Sequence, residues 1–360
     1  MVPNFNQKTI NTLAKRAAYL CSNPDCRTQT VGPNEDPNKS TVIGEAAHIF
    51  GARPGSKRYV SSMTDFARSN ITNGIWLCRN CHKMIDTDYQ RFSSDILFIW
   101  REKHENFVSS ELGNTTDKIR QEQLSLQLNE FKDYPPLIRR IIIDKPIGWE
   151  YKLTVELMRY LNNPFLRKIE DLKAGLYIKS QQHVKDEEMA DWISKRLNES
   201  GKLVPPMVGL IDRLNKSWGA LGEEGDFKEI HHICCLIRNN LELIVFHEEK
   251  IFSTNVPERY ERVLGLLKNL LGSQAEKLKI IPDRLEEIIS YIDKDDKKAL
   301  EALEGKEEMI VFEVSENWEK DFNKELNELN INLEHQYSQR GCLMMIPLGG
   351  IILGALIFLC

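Results

Sequence analysis

Two close pairs of cysteines, Cys21 with Cys26 and Cys78 with Cys81, have the residue type and spacing to bind a metal through sulfur. Each pair can form one knuckle, and four thiolates at about 2.3 Å close a tetrahedral zinc site that leaves no position open for substrate. Such a zinc is structural, and in a small domain its binding supplies a large part of the folding free energy. Immediately after Cys81 stand His82 and Asp86, one turn apart and therefore on one face of a helix. An imidazole and a carboxylate at that spacing can hold one divalent cation and leave its other positions to water and a phosphate oxygen. The plain alternative is an exposed histidine and a surface aspartate. His48 lies in the largely apolar stretch GEAAHIF, where a satisfied core histidine is the usual reading.

These residues need elements to position them. A short amphipathic helix from about Thr9 to Tyr19 leads into CSNPDC, followed by a polar, Gly- and Pro-rich loop through Lys39. TVIGEAAHIF, β-branched at its start, predicts a strand ending near His48. Residues 51–70 form a basic, loop-like insert holding Arg53, Lys57, Arg58 and Arg68. ITNGIWLC supplies a turn and a second strand, and CHKMID begins a helix. A closing helix over about Asp95 to Phe107 turns Leu97, Ile99 and Trp100 towards the core.

In combination, AHI, then NG with LCxxCH, then a carboxylate four residues on resembles the HNH endonuclease motif. The resemblance covers about residues 5 to 107. With EAAHI, GARPGSKRY, NGIWLCRNCHKMID and WREKHE it is similar to HNH domains of bacterial defence proteins. It implies a β-hairpin and a helix clamping one divalent metal, the ββα-metal or treble-clef fold. Carried over by position, His48 matches the general base, Asn73 the central asparagine and His82 the final metal-binding histidine. Asp86 stands where many members have a second ligand one turn later. A neutral histidine, with an ordinary pKa of about 6.5, suits removal of a proton from water attacking phosphorus. Asn73 is expected to brace the hairpin and orient the His48 ring. The resemblance thus implies a structural Zn2+ and a catalytic cation on His82 and Asp86, with Mg2+ or Mn2+ favoured by oxygen ligands and zinc or nickel also admitted by imidazole.

One departure is Ala47, where many HNH domains place an Asp or His ligand directly before the base. Glu45 shares Ala47's strand face but lies two residues back, so its reach is doubtful. Arg53, Lys57, Arg58 and Arg68 are candidates for backbone phosphates on either side of the cut, giving salt-dependent, sequence-independent affinity for DNA; a solvated basic loop is the other reading.

Beyond the HNH domain, residues 1–110, the pattern predicts a polar linker helix over 111–135, stopped by Pro135 and Pro136, and a mainly α-helical regulatory or sensor domain over 136–340. Ile230, Ile233, Ile237, Leu241 and Ile244 recur at helical spacing, as do Trp318, Phe322, Leu326, Leu329 and Leu333. HHICC, with His231, His232, Cys234 and Cys235, reads as part of the first of these core helices, and His104 carries no assigned chemistry. An uncharged run closes the sequence from Cys342. As a helix it would span roughly 28 Å, close to a bilayer's hydrocarbon thickness, which predicts a transmembrane helix over 341–360. The overall expectation is an α+β chain of two domains plus that helix.

Charge is uneven: residues 1–110 carry 14 Lys and Arg against 10 Asp and Glu, whereas the whole chain carries 48 against 53. A positive head on an acidic body suits a polyanion partner, DNA here. The first residues lack the apolar core of a secretory signal, so the expectation is a cytoplasmic nuclease domain, tail-anchored in the inner membrane and able to form homo-oligomers. The leading reading is a metal-dependent DNA endonuclease acting as a regulated defence effector. Two others stand beside it: a zinc-dependent nucleic-acid-binding module without catalysis, and a membrane-disrupting effector with an HNH-like sensor.

Overall fold

The computed structural model describes residues 4–111, 126–177, 179–219, 223–294, 308–311, 315–331 and 345–348. The fold is helix-rich with small two-stranded sheets, an α+β arrangement, and the chain divides into two compact units, Met1–Trp149 and Glu150–Cys360.

In the first unit, α1 (Gln7–Arg16) starts where the Asn6 side chain accepts the Thr9 N–H at 2.8 Å, capping an otherwise unpaired amide. It stops three residues before the expected end because Ala18 and Tyr19 take φ values of 49° and 56°, a left-handed turn that swings the chain towards Cys21. A small hairpin of β1 (Val31–Pro33) and β2 (Ser40–Val42) follows. The central hairpin pairs β3 (Gly44–His48) with β4 (Gly74–Cys78), antiparallel, from Gly44 opposite Cys78 to His48 opposite Gly74. Between these strands lies the short helix α2 (Asp65–Ser69), and β4 runs directly into α3 (Arg79–Thr87).

Strand alternation sorts this hairpin into two faces. Ala47, Ile75 and Leu77 join the core that includes Ile85 of α3, while Ala46 and Trp76 face Ala14 and Ala17. Gly74 packs closely: a Cβ there would lie 2.5 Å from Leu13 Cδ1, so the buried Leu13 side chain would have to shift. The closing helix α4 spans Ser94–Glu111 and buries Leu97, Phe98, Arg101 and His104. Ile99, expected inside, is 40% exposed, and Trp100 is half-buried with its ring edge against Phe92. The buried stripe turns on Arg101, whose Nη1 donates to the carbonyls of Ile71 and Gly74 at 2.6 and 2.8 Å.

The compact unit extends past the predicted boundary at residue 110. Helix α5 (Pro136–Asp144) brings Arg140 and Asp144 to a buried ion network with Arg101 and Glu105 of α4 and Arg16 of α1. Arg140 reaches Glu105 at 2.6 Å and Asp144 at 2.7 Å, and Arg101 reaches Asp144 at 3.3 Å. Residues 136–144 therefore belong with the hairpin unit, whereas most of the predicted linker helix lies outside the described residues.

In the second unit, α6 (Trp149–Lys173, crossing the boundary), α7 (Met189–Ser217), α8 (Phe227–Phe252), α9 (Glu261–Leu267), α10 (Leu270–Glu276), α11 (Ile280–Lys294) and α12 (Glu316–Glu328) dominate. Helices α7 and α8 run antiparallel, with Ser200 against His247, Asn240 bonded to the Leu203 carbonyl, and Arg213 paired with Glu229. Ile230, Ile233, Ile237, Leu241 and Ile244 are all buried, as their spacing predicts, and Cys234 is buried among them. Phe322 and Leu326 join a core with Met189, Ile193 and Val263, with Trp318 and Leu329 packed beside it; Leu333 lies outside the described residues.

Of the hydrophobic C-terminal run, four residues are described. Met345–Leu348 pair antiparallel with Glu308–Val311, so this part is a strand and not the predicted helix. Both members of a two-stranded ladder are edges, which accommodates Pro347 without an N–H. Among the described residues no helix is long and apolar enough to cross a membrane.

Burial alone would raise the Glu105 and Asp144 carboxyls, but Arg140 and Arg101 outweigh it and hold both below the ordinary carboxylate range. A depressed folded-state pKa gives stability that is fully present above the unfolded value near 4 and is lost progressively as pH falls from there through the lower folded value. Asp144→Ala, which strands Arg101 and Arg140, is expected to destabilise the first unit by about 3–5 kcal/mol at pH 7. Denaturant titrations at pH 7 and pH 3 check this, with the difference between wild type and variant shrinking at the lower pH.

Candidate functional site

The four cysteine sulfurs converge. The Cys21, Cys26, Cys78 and Cys81 sulfurs all lie within 4.8 Å of one another, and Cys26 and Cys78 are 3.9 Å apart. Ligands at about 2.3 Å from a tetrahedral zinc sit about 3.8 Å from each other, so the cluster fits one such ion. The local chain is built for it. Cys78 caps α3 and its sulfur accepts the Cys81 N–H at 3.5 Å, while Asn23 Nδ2 donates to Cys81 Sγ at 3.3 Å. Burial pushes the Cys21 thiol up strongly and Cys81 to about 11. At Cys26 burial also opposes ionisation, but hydrogen bonds involving Thr28 overcome it and lower that thiol to about 7. Cys21 and Cys81, which resist ionisation singly, would become thiolates beside the other two sulfurs once a cation lies at the centre.

Beside this cluster, α3 carries His82 and Asp86 on one face as predicted, with His82 Nε2 3.7 Å from Asp86 Oδ2. The residue whose reach was doubtful, Glu45, arrives: its Oε2 is 2.8 Å from His82 Nδ1, and its Oε1 takes a bond from Arg79 Nε at 3.0 Å. The register explains it, because Glu45 pairs with Leu77, one residue before the Cys78 cap of α3. The signal was present in strand parity but needed the register to become a contact.

Asn73 is 1% exposed and braces the hairpin as expected. Its Oδ1 accepts the Phe50 N–H at 2.7 Å, and its Nδ2 donates to the carbonyls of Phe50 and Arg68, both at 2.9 Å. These bonds all go to backbone groups, and the His48 ring makes a stacking contact of its own. It ends β3, half-buried, on the face shared with Ala46, and stacks on Phe5 with centroids 4.0 Å apart and planes 11° from parallel. No sequence signal pointed to Phe5.

The insert divides its four basic residues. Arg53 and Lys57 are exposed, and the Lys57 ammonium lies 4.6 Å from the Tyr89 ring centroid. Arg58 and Arg68 are used inside the protein instead of facing solvent. Arg58 donates to the carbonyls of Ile49 and Ile85 at 2.8 and 2.7 Å and pairs with Asp86 Oδ1 at 2.8 Å. Arg68, fully buried, donates to the carbonyls of Gly51, Val60 and Met63. Backbone carbonyls left by an irregular loop need donors, and composition alone does not distinguish such arginines from phosphate ligands.

Elsewhere, His104 is buried and bonded to the Ala17 carbonyl at 3.1 Å, and His231 lies 3.4 Å from Cys235. Among the described residues the four cysteines are the sole group of three or more metal-binding side chains with donors so close.

Metal analysis of the purified chain is expected to give one zinc, lost in Cys78→Ser; because four thiols must release protons to bind it, occupancy falls as pH is lowered. Asn73→Ala leaves the Phe50 N–H and two carbonyls without their partner and is expected to cost about 2–4 kcal/mol, read as a lower unfolding midpoint. Compared with protein-family models, curated proteins and solved structures, the chain shows no match.

Proposed function

We propose that the first unit is an HNH-type endonuclease that hydrolyses DNA phosphodiester bonds, regulated or targeted by the helical unit as in a bacterial defence effector. The observation that supports this most is one continuous hairpin and helix, β3, β4 and α3, carrying Asn73, His82 and Asp86 beside a four-cysteine cluster, with His48 at the end of β3 on the strand face of Ala46, opposite the one that packs on α3. That succession is the one the HNH resemblance assigns, including its ββα-metal fold.

In this reading His48 takes the proton from the water that attacks phosphorus, and the flat stack on Phe5 limits how its ring can turn. Asn73 holds the backbone after β3 to the turn before β4, so the His48 end of the hairpin keeps its shape. His82 and Asp86 would hold a Mg2+ or Mn2+ ion, which when bound stabilises charge on the phosphate and the leaving oxygen. Exposed Arg53 and Lys57 meet phosphates flanking the cut, whereas Arg58 and Arg68 shape the insert that presents them.

Ala47 favours the second reading, a zinc-stapled nucleic-acid-binding module without catalysis: it is buried in the core and offers no ligand before His48. Nicking of supercoiled plasmid with Mg2+ or Mn2+ separates the two. The nuclease reading expects His48→Ala and His82→Ala to slow nicking by about 10²–10⁴-fold with zinc content unchanged. Equal background nicking in all three proteins, with DNA binding intact, would leave the binding module. In either case Lys57→Ala is expected to weaken DNA binding and to flatten the log–log salt dependence by about 0.9.

A further inference from the structure

Two carboxylates and two arginines bracket His82 in a single polar chain. Arg79 Nε bonds Glu45 Oε1 at 3.0 Å, Glu45 Oε2 meets His82 Nδ1 at 2.8 Å, His82 Nε2 faces Asp86 Oδ2 at 3.7 Å, and Asp86 Oδ1 bonds Arg58 Nη2 at 2.8 Å. Each carboxylate thus gives one oxygen to an arginine and turns the other to the histidine. The two ring edges are unequal. On one, the contact is at hydrogen-bond distance; on the other, the separation is too long for a hydrogen bond and leaves both atoms free to share a third partner.

We propose that Glu45 is a positioning residue for His82: by accepting the Nδ1 proton it fixes the tautomer whose Nε2 lone pair, with Asp86 Oδ2, is presented to a divalent cation. This rests on the reading of His82 and Asp86 as cation ligands. Glu45 stays outside the ligand set, because it occupies the opposite ring edge and does not form with His82 and Asp86 a group of donors within 4.8 Å among the described residues. A carboxylate on the far nitrogen of a metal-binding histidine holds the ring and raises its basicity. Ala47 and Glu45 share the strand face towards α3, so the carboxylate missing at Ala47 is replaced two residues earlier in a different role. Arg58 does the equivalent for Asp86: its other two bonds, to Ile49 and Ile85, anchor the guanidinium to the end of β3 and to α3, so Asp86 Oδ1 is engaged and Oδ2 is left towards His82.

The test uses the 360-residue chain with zinc bound. Histidine-selective 15N NMR, with His82 assigned by its loss in His82→Ala, reports which ring nitrogen carries the proton, and the free Mn2+ EPR signal reports cation affinity. The expected result is a proton on Nδ1 in wild type. Glu45→Ala should shift it towards Nε2 and weaken Mn2+ binding by about 10–100-fold, while Glu45→Gln, which keeps an acceptor oxygen, recovers most of both. Zinc content and the unfolding midpoint should stay at their wild-type values in Glu45→Gln. A His82 proton that stays on Nδ1 in Glu45→Ala, or Mn2+ affinity there equal to wild type, overturns the role of Glu45. Unchanged Mn2+ binding in His82→Ala instead removes the cation site itself, and with it the nuclease reading, whatever the tautomer.

Discussion

Convergence of four sulfurs on one point is the constraint from which the rest of the first unit follows. It joins the loop after α1 to the junction of β4 and α3, segments more than fifty residues apart in sequence. Because Cys78 is both the last residue of β4 and the cap of α3, the direction in which α3 leaves the hairpin is set there. His82 and Asp86 then fall on a face determined by their distance from that cap. A hairpin of five residues per strand has little stability alone, so helices packed on both faces, and a metal where the four cysteines hold one, would make its geometry definite.

The second support comes from the other end of the hairpin. Arg101 reaches the carbonyls of Ile71 and Gly74, on either side of Asn73, and Asn73 in turn gathers the backbone at Phe50 and Arg68. The start of β4 is therefore held by a side chain that is itself held by Asp144 and Glu105. This makes α5 an integral part of the hairpin unit: without Asp144 the Arg101 guanidinium would be buried with Glu105 alone as its paired carboxylate. The polar chain around His82 repeats the same device on the surface, where arginines fix carboxylates and carboxylates fix an imidazole.

The insert shows why basic residues are poor witnesses of binding on their own. Four candidates in one loop divided evenly. Arg53 and Lys57 face solvent, while Arg58 and Arg68 turn inward to carbonyls that an irregular loop leaves unpaired. Arg58 proved closer to the candidate chemistry than expected, through Asp86, and by a route that involves no phosphate.

Spacing alone determined several features: the four-cysteine cluster, the shared face of His82 and Asp86, the hairpin running into a helix, and the buried stripe from Ile230 to Ile244. Each depends on local periodicity or on short ligand spacings, which a chain carries wherever it folds. Tertiary structure decided the reach of Glu45, the stack of Phe5 on His48, the inward turn of Arg58 and Arg68, the face of α4, and the extent of the first unit to Trp149. It also paired Met345–Leu348 as a strand within a run whose composition suits a helix. All of these depend on strand register and on which distant groups arrive as partners. Neither is written in any single segment, because a buried charge or an unpaired carbonyl is satisfied by whatever the fold brings to it.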